Sequence, residues 1–170
     1  RQILCRSNKR ANQYNQQVRI KIRWQENEIS TGDKLMIVRN NYFWLDENSS
    51  AGFIANGDIV EVIKIKEVIE RYGFRFAKAV IKMTDYANEK KLDVILLLDT
   101  LISEKPALTY EQYKALYREV GLDYKGEKEI NKKIKENIFF NALQVKFAYA
   151  ITCHKSQGGQ WDNVFVDLGY

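Results

Sequence analysis

The chain has 170 residues, 45% of them hydrophobic and 29% charged, with a formal net charge of +5. That length suits one domain, or a small domain carrying an insert, and the apolar fraction excludes a chain without a core. No apolar run approaches the ~18 residues of a membrane span, and no apolar block of signal-peptide length opens the chain. The two cysteines, Cys5 and Cys153, cannot form a disulfide framework and suit a reducing, cytoplasmic setting. The first residue is Arg1, and Leu168-Gly169-Tyr170 follows directly on an apolar run, so a piece of a longer chain is expected.

Residues 2–6 read as a short apolar strand. Ser7 or Asn8 is placed to N-cap a helix reaching about Trp24, with Ala11, Tyr14, Val18 and Ile22 as its buried face. From Arg1 to Trp24 there are seven basic residues (Arg1, Arg6, Lys9, Arg10, Arg19, Lys21, Arg23) and no acidic one. Such a stretch either binds polyanions or is a solvated helix face.

The pattern changes at Thr31-Gly32-Asp33. Strands are expected over residues 34–39, 59–69, 74–83 and 92–99, punctuated by Asn48-Ser49-Ser50, Asn56-Gly57-Asp58 and Tyr72-Gly73. Four or five strands in about 70 residues close into a small barrel more readily than they extend a flat sheet. The aromatics Tyr42, Phe43 and Trp44 either stack on bases or plug the barrel mouth.

Helices return after Pro106. Thr109 and Gln112 form a capping box, Tyr110, Tyr113, Leu116, Tyr117 and Val120 line one face, and Gly121 is placed to stop the helix. Ile130, Ile134 and Ile138 mark a second helix. Residues 145–151 then read as a strand, 152–160 as a polar turn into a short helix, and 164–166 as the start of another strand. The order α/β, all-β, helical, α/β is that of an insertion into a parent α/β domain.

The chemistry concentrates in Thr152-Cys153-His154-Lys155-Ser156-Gln157-Gly158-Gly159-Gln160-Trp161-Asp162. A strand of an α/β sheet delivers polar groups to its carboxyl edge, the usual place for ligands. Hydroxyls of Thr152 and Ser156, the Lys155 charge and the His154 ring suit phosphate oxygens. Gly158 and Gly159 let backbone approach a phosphate, and helix-start amides favour anions. Gln157 offers both a donor and an acceptor.

Thr152-x-His154-x-x-Gln157-Gly158-x-x-x-Asp162 resembles motif V of superfamily 1 helicases of the RecD and phage Dda type, the former being the exodeoxyribonuclease V alpha subunit. Ile3-Leu4-Cys5-Arg6-Ser7-Asn8-Lys9-Arg10-Ala11-x-x-x-Asn15 resembles the strand and helix that open the second motor domain. Gly32-Asp33-Lys34-Leu35-Met36-Ile37-Val38-Arg39-Asn40-Asn41, followed by Asn56-Gly57-Asp58, resembles the start of that family's inserted SH3-like barrel. The resemblance implies α/β plus all-β architecture. Residues 1–30 and 140–170 would form a partial, discontinuous RecA-like (P-loop NTPase-type) second motor domain, 31–105 the SH3-like barrel, and 106–139 a helical return segment.

The resemblance further places Thr152, His154 and Lys155, with Arg6, Ser7 and Asn8, along a single-stranded DNA path. Gln157 and Gly158 would couple to nucleotide. Expected partners are single-stranded DNA, the N-terminal RecA-like domain of the same parent and nuclease subunits, with ATP and Mg2+ as the parent's cofactors and a DNA-repair setting.

No P-loop Gly-x-x-x-x-Gly-Lys-Ser/Thr occurs, and Leu96-Leu97-Leu98-Asp99 resembles an acidic Walker-B strand only superficially. The motif VI arginine would fall beyond Tyr170. No catalytic set is complete, so the fragment alone is expected to be inactive. Two other readings stand beside this one. The first is a stand-alone nucleic-acid-binding barrel module. The second is a metal-dependent nuclease using His154, Asp162 and Asp167, although the two carboxylates would point to opposite faces of a strand. A Cys5, Cys153 and His154 metal site lacks paired-cysteine spacing, and no metal ligand set is assigned.

Overall fold

A computed structural model describes residues 1–86 and 90–169; residues 87–89, within the expected barrel segment, and Tyr170 lie outside the described residues. The elements are β1 (Gln2–Cys5), α1 (Asn8–Gln17), β2 (Lys34–Ile37), β3 (Ile59–Arg71), β4 (Phe74–Met83), β5 (Leu92–Leu97), α2 (Tyr110–Leu122), α3 (Ile130–Glu136), β6 (Leu143–Phe147), β7 (Ala150–Thr152) and β8 (Val164–Val166). The result is mixed α/β. A closed barrel runs β2-β3-β4-β5-β6, and a separate three-stranded sheet runs β7-β1-β8. Among the described residues no helix is long and apolar enough to cross a membrane.

The barrel departs from the expected one in its closing strand. Residues 34–97 supply four strands, and the fifth, β6, arrives after both helices. It pairs antiparallel with β2 (Met36↔Lys146) and parallel with β5 (Leu96↔Leu143). The strand expected over residues 145–151 is therefore two strands, β6 in the barrel and β7 in the parallel sheet. Only Ala148 and Tyr149 lie between them. Alternation explains the core: Leu143, Val145 and Phe147 point inward to Leu35, Ile37, Val60, Ile81 and Leu96. Gln144 and Lys146 face outward, yet they are buried under the segment that follows β5. There, Leu108 N–H donates to Gln144 Oε1 at 2.9 Å, and Lys146 Nζ donates to the Thr100 carbonyl at 3.1 Å and to that of Ser103.

The β3–β4 hairpin turns on Tyr72 and Gly73, both at positive φ (56° and 77°), as a two-residue primed turn requires. The Thr109–Gln112 capping box forms in both directions. Gly121, however, does not stop α2. It lies inside the helix, where a Cβ would meet Ile134 Cδ1 at 3.2 Å, so its smallness lets α3 approach. Leu116, Val120 and Ile134 pack with Phe74, Phe76, Ile95 and Phe139 outside the barrel, whereas Tyr110 and Ile138 are exposed.

The opening helix also differs from expectation. Regular α1 ends at Gln17 and passes into a π-helical turn, Val18–Ile22. The buried face is Ala11, Asn15 and Arg19, at i, i+4 steps, while Ile22 is 69% exposed. The amphipathic reading followed apolar residues, but this helix docks through polar ones. Arg19 Nε and an Nη each contact the Asp33 carboxylate at 3.1 Å, and the guanidinium lies 4.3 Å over the Phe147 ring. Asp33 also accepts from Ser30 N–H at 2.8 Å and the Tyr149 hydroxyl at 2.9 Å. Burial first, and then Asp33, pushes the Tyr149 phenol up to about 12.

The basic stretch is thus partly neutralised, with Arg19 spent on Asp33 and Arg10 paired to Asp167 at 2.8 Å. Helix, barrel end and sheet start are locked at one joint.

Candidate nucleic-acid interface

In the small sheet, β1 is central and both neighbours run parallel to it, with Ile3 opposite Ala150 on one side and Phe165 on the other. One face packs on α1 through Cys5, Ala11, Ala150 and Tyr14. On the other, Leu4, Ile151 and Trp161 pack against Met36 and Val38 from the outside of the barrel. The carboxyl ends of β1 and β7 point the same way. Parallel register therefore brings residues 6–8 beside residues 152–155, although they are almost a chain length apart in sequence.

Two clefts flank that edge. The first, of about 410 Å³, is lined by Arg6, Ser7, Asn8, Thr152, His154 and Lys155, together with Met36, Val38, Glu104, Pro106 and Lys146. All six residues expected along a DNA path share this one cleft. The second, of about 540 Å³, lies between the turn and the barrel. It is lined by Gln157, Gly158, Gly159, Gln160 and Trp161 with Asn56, Gly57, Asp85, His154 and Lys155. Gln157 and Gly158 thus sit on the opposite flank of the same turn.

The turn is a single 3-10 turn, Cys153–Ser156, rather than the start of a helix, so the expected helix-end field is absent. The Ser156 hydroxyl proton, expected to suit phosphate, is instead donated to the Cys153 carbonyl at 2.7 Å. Ser7 performs the capping expected of it, accepting from Arg10 N–H at 3.3 Å.

Gly158 has φ of 78° and open space around it, so its backbone is approachable. Gly159 serves packing instead: a Cβ there would lie 2.2 Å from the Trp161 ring. Thr152, His154, Gln157 and Arg6 make no side-chain hydrogen bond among the described residues, which leaves their polar groups free for a ligand.

Two features of the cleft escaped the sequence. Lys155, expected as a point charge for phosphate, also donates to Asn56 Oδ1 of the barrel turn, and desolvation lowers its pKa. Lys146 forms part of the wall; its ammonium rests on carbonyls, with no carboxylate partner among the described residues, and burial lowers its pKa to about 8. Its position in an apolar-alternating strand gave no sign of this.

The other residues singled out in the sequence fall away from such chemistry. Asp167 is tied to Arg10, which holds its carboxyl below the usual range. Cys5 is fully buried while Cys153 is exposed. Asp99 accepts from the Arg75 N–H at 2.8 Å at the end of a barrel strand.

Residues 147–170 match the model of the UvrD-like helicase C-terminal domain, which covers β7, the turn and β8. That match supports a helicase-related C-terminal region over these residues. The chain is also similar to the foldase protein PrsA from two strains of Staphylococcus epidermidis. It is 31% identical to each over 103 residues, covering 54% of this chain and 31% of PrsA. The chain therefore spans about a third of the length of these curated relatives. The two similarities carry different names, and the helicase match includes the turn between the clefts.

Proposed function

We propose that the chain is part of the second RecA-like motor domain of an ATP-dependent DNA helicase of the RecD and Dda type, with an SH3-like barrel inserted. One observation carries the reading: residues from both ends of the chain, Arg6 to Asn8 and Thr152 to Lys155, line a single cleft at the carboxyl edge of a parallel sheet. The helicase-model match over the same turn supports it.

In this reading the phosphates of single-stranded DNA run along the first cleft. Arg6 and Lys155 supply charge, while the Thr152 hydroxyl and the His154 ring donate to phosphate oxygens. Gln157 and Gly158, on the other flank, face a nucleotide held mainly by the N-terminal RecA-like domain of the same parent. ATP with Mg2+ supplies phosphoryl transfer when bound there. The residues present fit a contacting role, since the Gln157 side chain is exposed and the Gly158 backbone is open.

Because one short turn borders both clefts, movement imposed on Gln157 reaches Thr152 and His154. The Lys155–Asn56 bond passes it on to the barrel. The sequence holds no P-loop, so the 170-residue chain hydrolyses no ATP and unwinds no DNA by itself.

The test is Gln157→Ala in the intact helicase. DNA-stimulated ATP turnover is expected to fall at least tenfold, by about 1.4 kcal/mol of coupling or more, while DNA affinity is kept. Unchanged turnover contradicts the reading, as does DNA-stimulated ATPase activity in the purified 170-residue chain.

A further inference from the structure

Tyr42 and Phe53 stack on the barrel surface with ring centroids 4.8 Å apart and planes 26° from parallel. Tyr42 is 68% exposed, so one face of its ring meets solvent. The neighbouring aromatics are used differently. Trp44 packs against both cores and donates its Nε1 proton to the Asn141 carbonyl at 2.8 Å. Phe43 sits edge-on to Trp44. Trp44 is therefore committed to packing, whereas Tyr42 and Phe53 form an open, preformed ring pair.

That pair is joined to the motor-domain turn by three hydrogen bonds. Asn40 Nδ2 donates to the Tyr42 hydroxyl at 3.4 Å, Asn56 N–H donates to Asn40 Oδ1 at 2.7 Å, and Lys155 Nζ donates to Asn56 Oδ1. No carboxylate takes part in this relay, and its far end is a cation of the cleft that also holds Arg6.

We propose that Tyr42, backed by Phe53, is a base-stacking platform for single-stranded nucleic acid leaving that cleft. The backbone would be held by Arg6 and Lys155, and the next base would lie on the exposed tyrosine face. Stacking on an aromatic face is sequence-tolerant, because every base presents a π-surface, so the platform adds affinity without sequence preference. This rests on the proposed strand path, and the experiment below separates the two.

The 170-residue chain is titrated at low salt with a fluorescent oligo(dT) and with an abasic sugar-phosphate oligomer of equal length. Tyr42→Ala is expected to weaken oligo(dT) binding about fivefold or more. It should leave abasic binding and the salt dependence of both unchanged, and Tyr42→Phe should restore oligo(dT) affinity. Lys155→Ala and Arg6→Ala, by contrast, should each weaken both probes.

A 2-aminopurine placed in the oligomer is expected to be quenched on binding to the wild type and not to Tyr42→Ala. Equal losses for the two probes in Tyr42→Ala, or none, overturn the platform while leaving the cleft. A selective Tyr42 effect with no Lys155 or Arg6 effect keeps the platform and removes the cleft. Failure of the wild type to bind either probe overturns both.

Discussion

Asn15 and Ala150 hold each other through two hydrogen bonds: Ala150 N–H donates to Asn15 Oδ1 at 2.7 Å, and Asn15 Nδ2 donates to the Ala150 carbonyl at 2.9 Å. The same amide donates to the Phe147 carbonyl at 3.2 Å. A helix side chain therefore imitates a neighbouring strand at the two-residue passage from barrel to sheet. It sets the direction in which β7 delivers Thr152 and the turn beyond.

Asn15→Ala leaves a buried N–H and two carbonyls without partners. The expected loss is about 2 to 3 kcal/mol of stability, read as a lower urea midpoint. A change within about 0.5 kcal/mol, the range of ordinary surface substitutions, would mean that the amide does not fix the joint.

The Arg19–Asp33 pair is fully buried at the same joint. Arg19→Met strands a carboxylate, with an expected cost of about 3 to 5 kcal/mol. Adding Asp33→Asn to that variant should recover part of the loss in thermal unfolding, because the stranded charge is then gone. Strict additivity of the two changes would contradict a direct pair.

Lys146 gives a pH signature. Its pKa is lowered to about 8 in the folded protein by burial, against an ordinary 10.5. Below pH 8 the folded state carries a buried ammonium, whereas above 10.5 the amine is neutral in both states. Between these values the unfolded chain binds more protons, so this group's contribution to stability rises with pH. The unfolding free energy of the wild type relative to Lys146→Met should therefore climb from pH 8 to 10.5 by as much as about 3 kcal/mol. A difference that stays flat across this window would contradict the burial argument.

Gly159→Ala would place a Cβ against the Trp161 ring and evict the indole from its seat beside Met36 and Ile151. Tryptophan emission is expected to shift to longer wavelength, with the change lost in Gly159→Ala/Trp161→Phe. An unchanged spectrum would show that the ring is not seated there.

The sequence made some features legible because the signal is local. The Thr109–Gln112 box, the Tyr72-Gly73 hairpin and the glycine-rich turn after β7 each need only a few neighbouring residues. The features it concealed depend on partners far away in the chain. Nothing within residues 143–151 says that five of them close a barrel with β2 and β5, since an alternating apolar strand fits either sheet. The basic stretch left Arg19 open between polyanion binding and a solvated face, and nothing local marked Asn15 as buried, until Asp33 and Ala150 are brought to them.

At the site, the residue types at Arg6 to Asn8 and Thr152 to Lys155 were readable. Their meeting in one cleft follows only from the parallel pairing of β1 with β7. Lys146 and the Lys155–Asn56 bond were invisible for the same reason.

The most direct test of the shared cleft is the salt dependence of single-stranded DNA binding by the wild type and by Arg6→Ala/Lys155→Ala. Each phosphate contact contributes about 0.7 to the slope of log affinity against log salt. The double variant should therefore bind more weakly with a slope shallower by roughly 1 to 1.5. Identical affinity and slope in the two proteins would contradict the account.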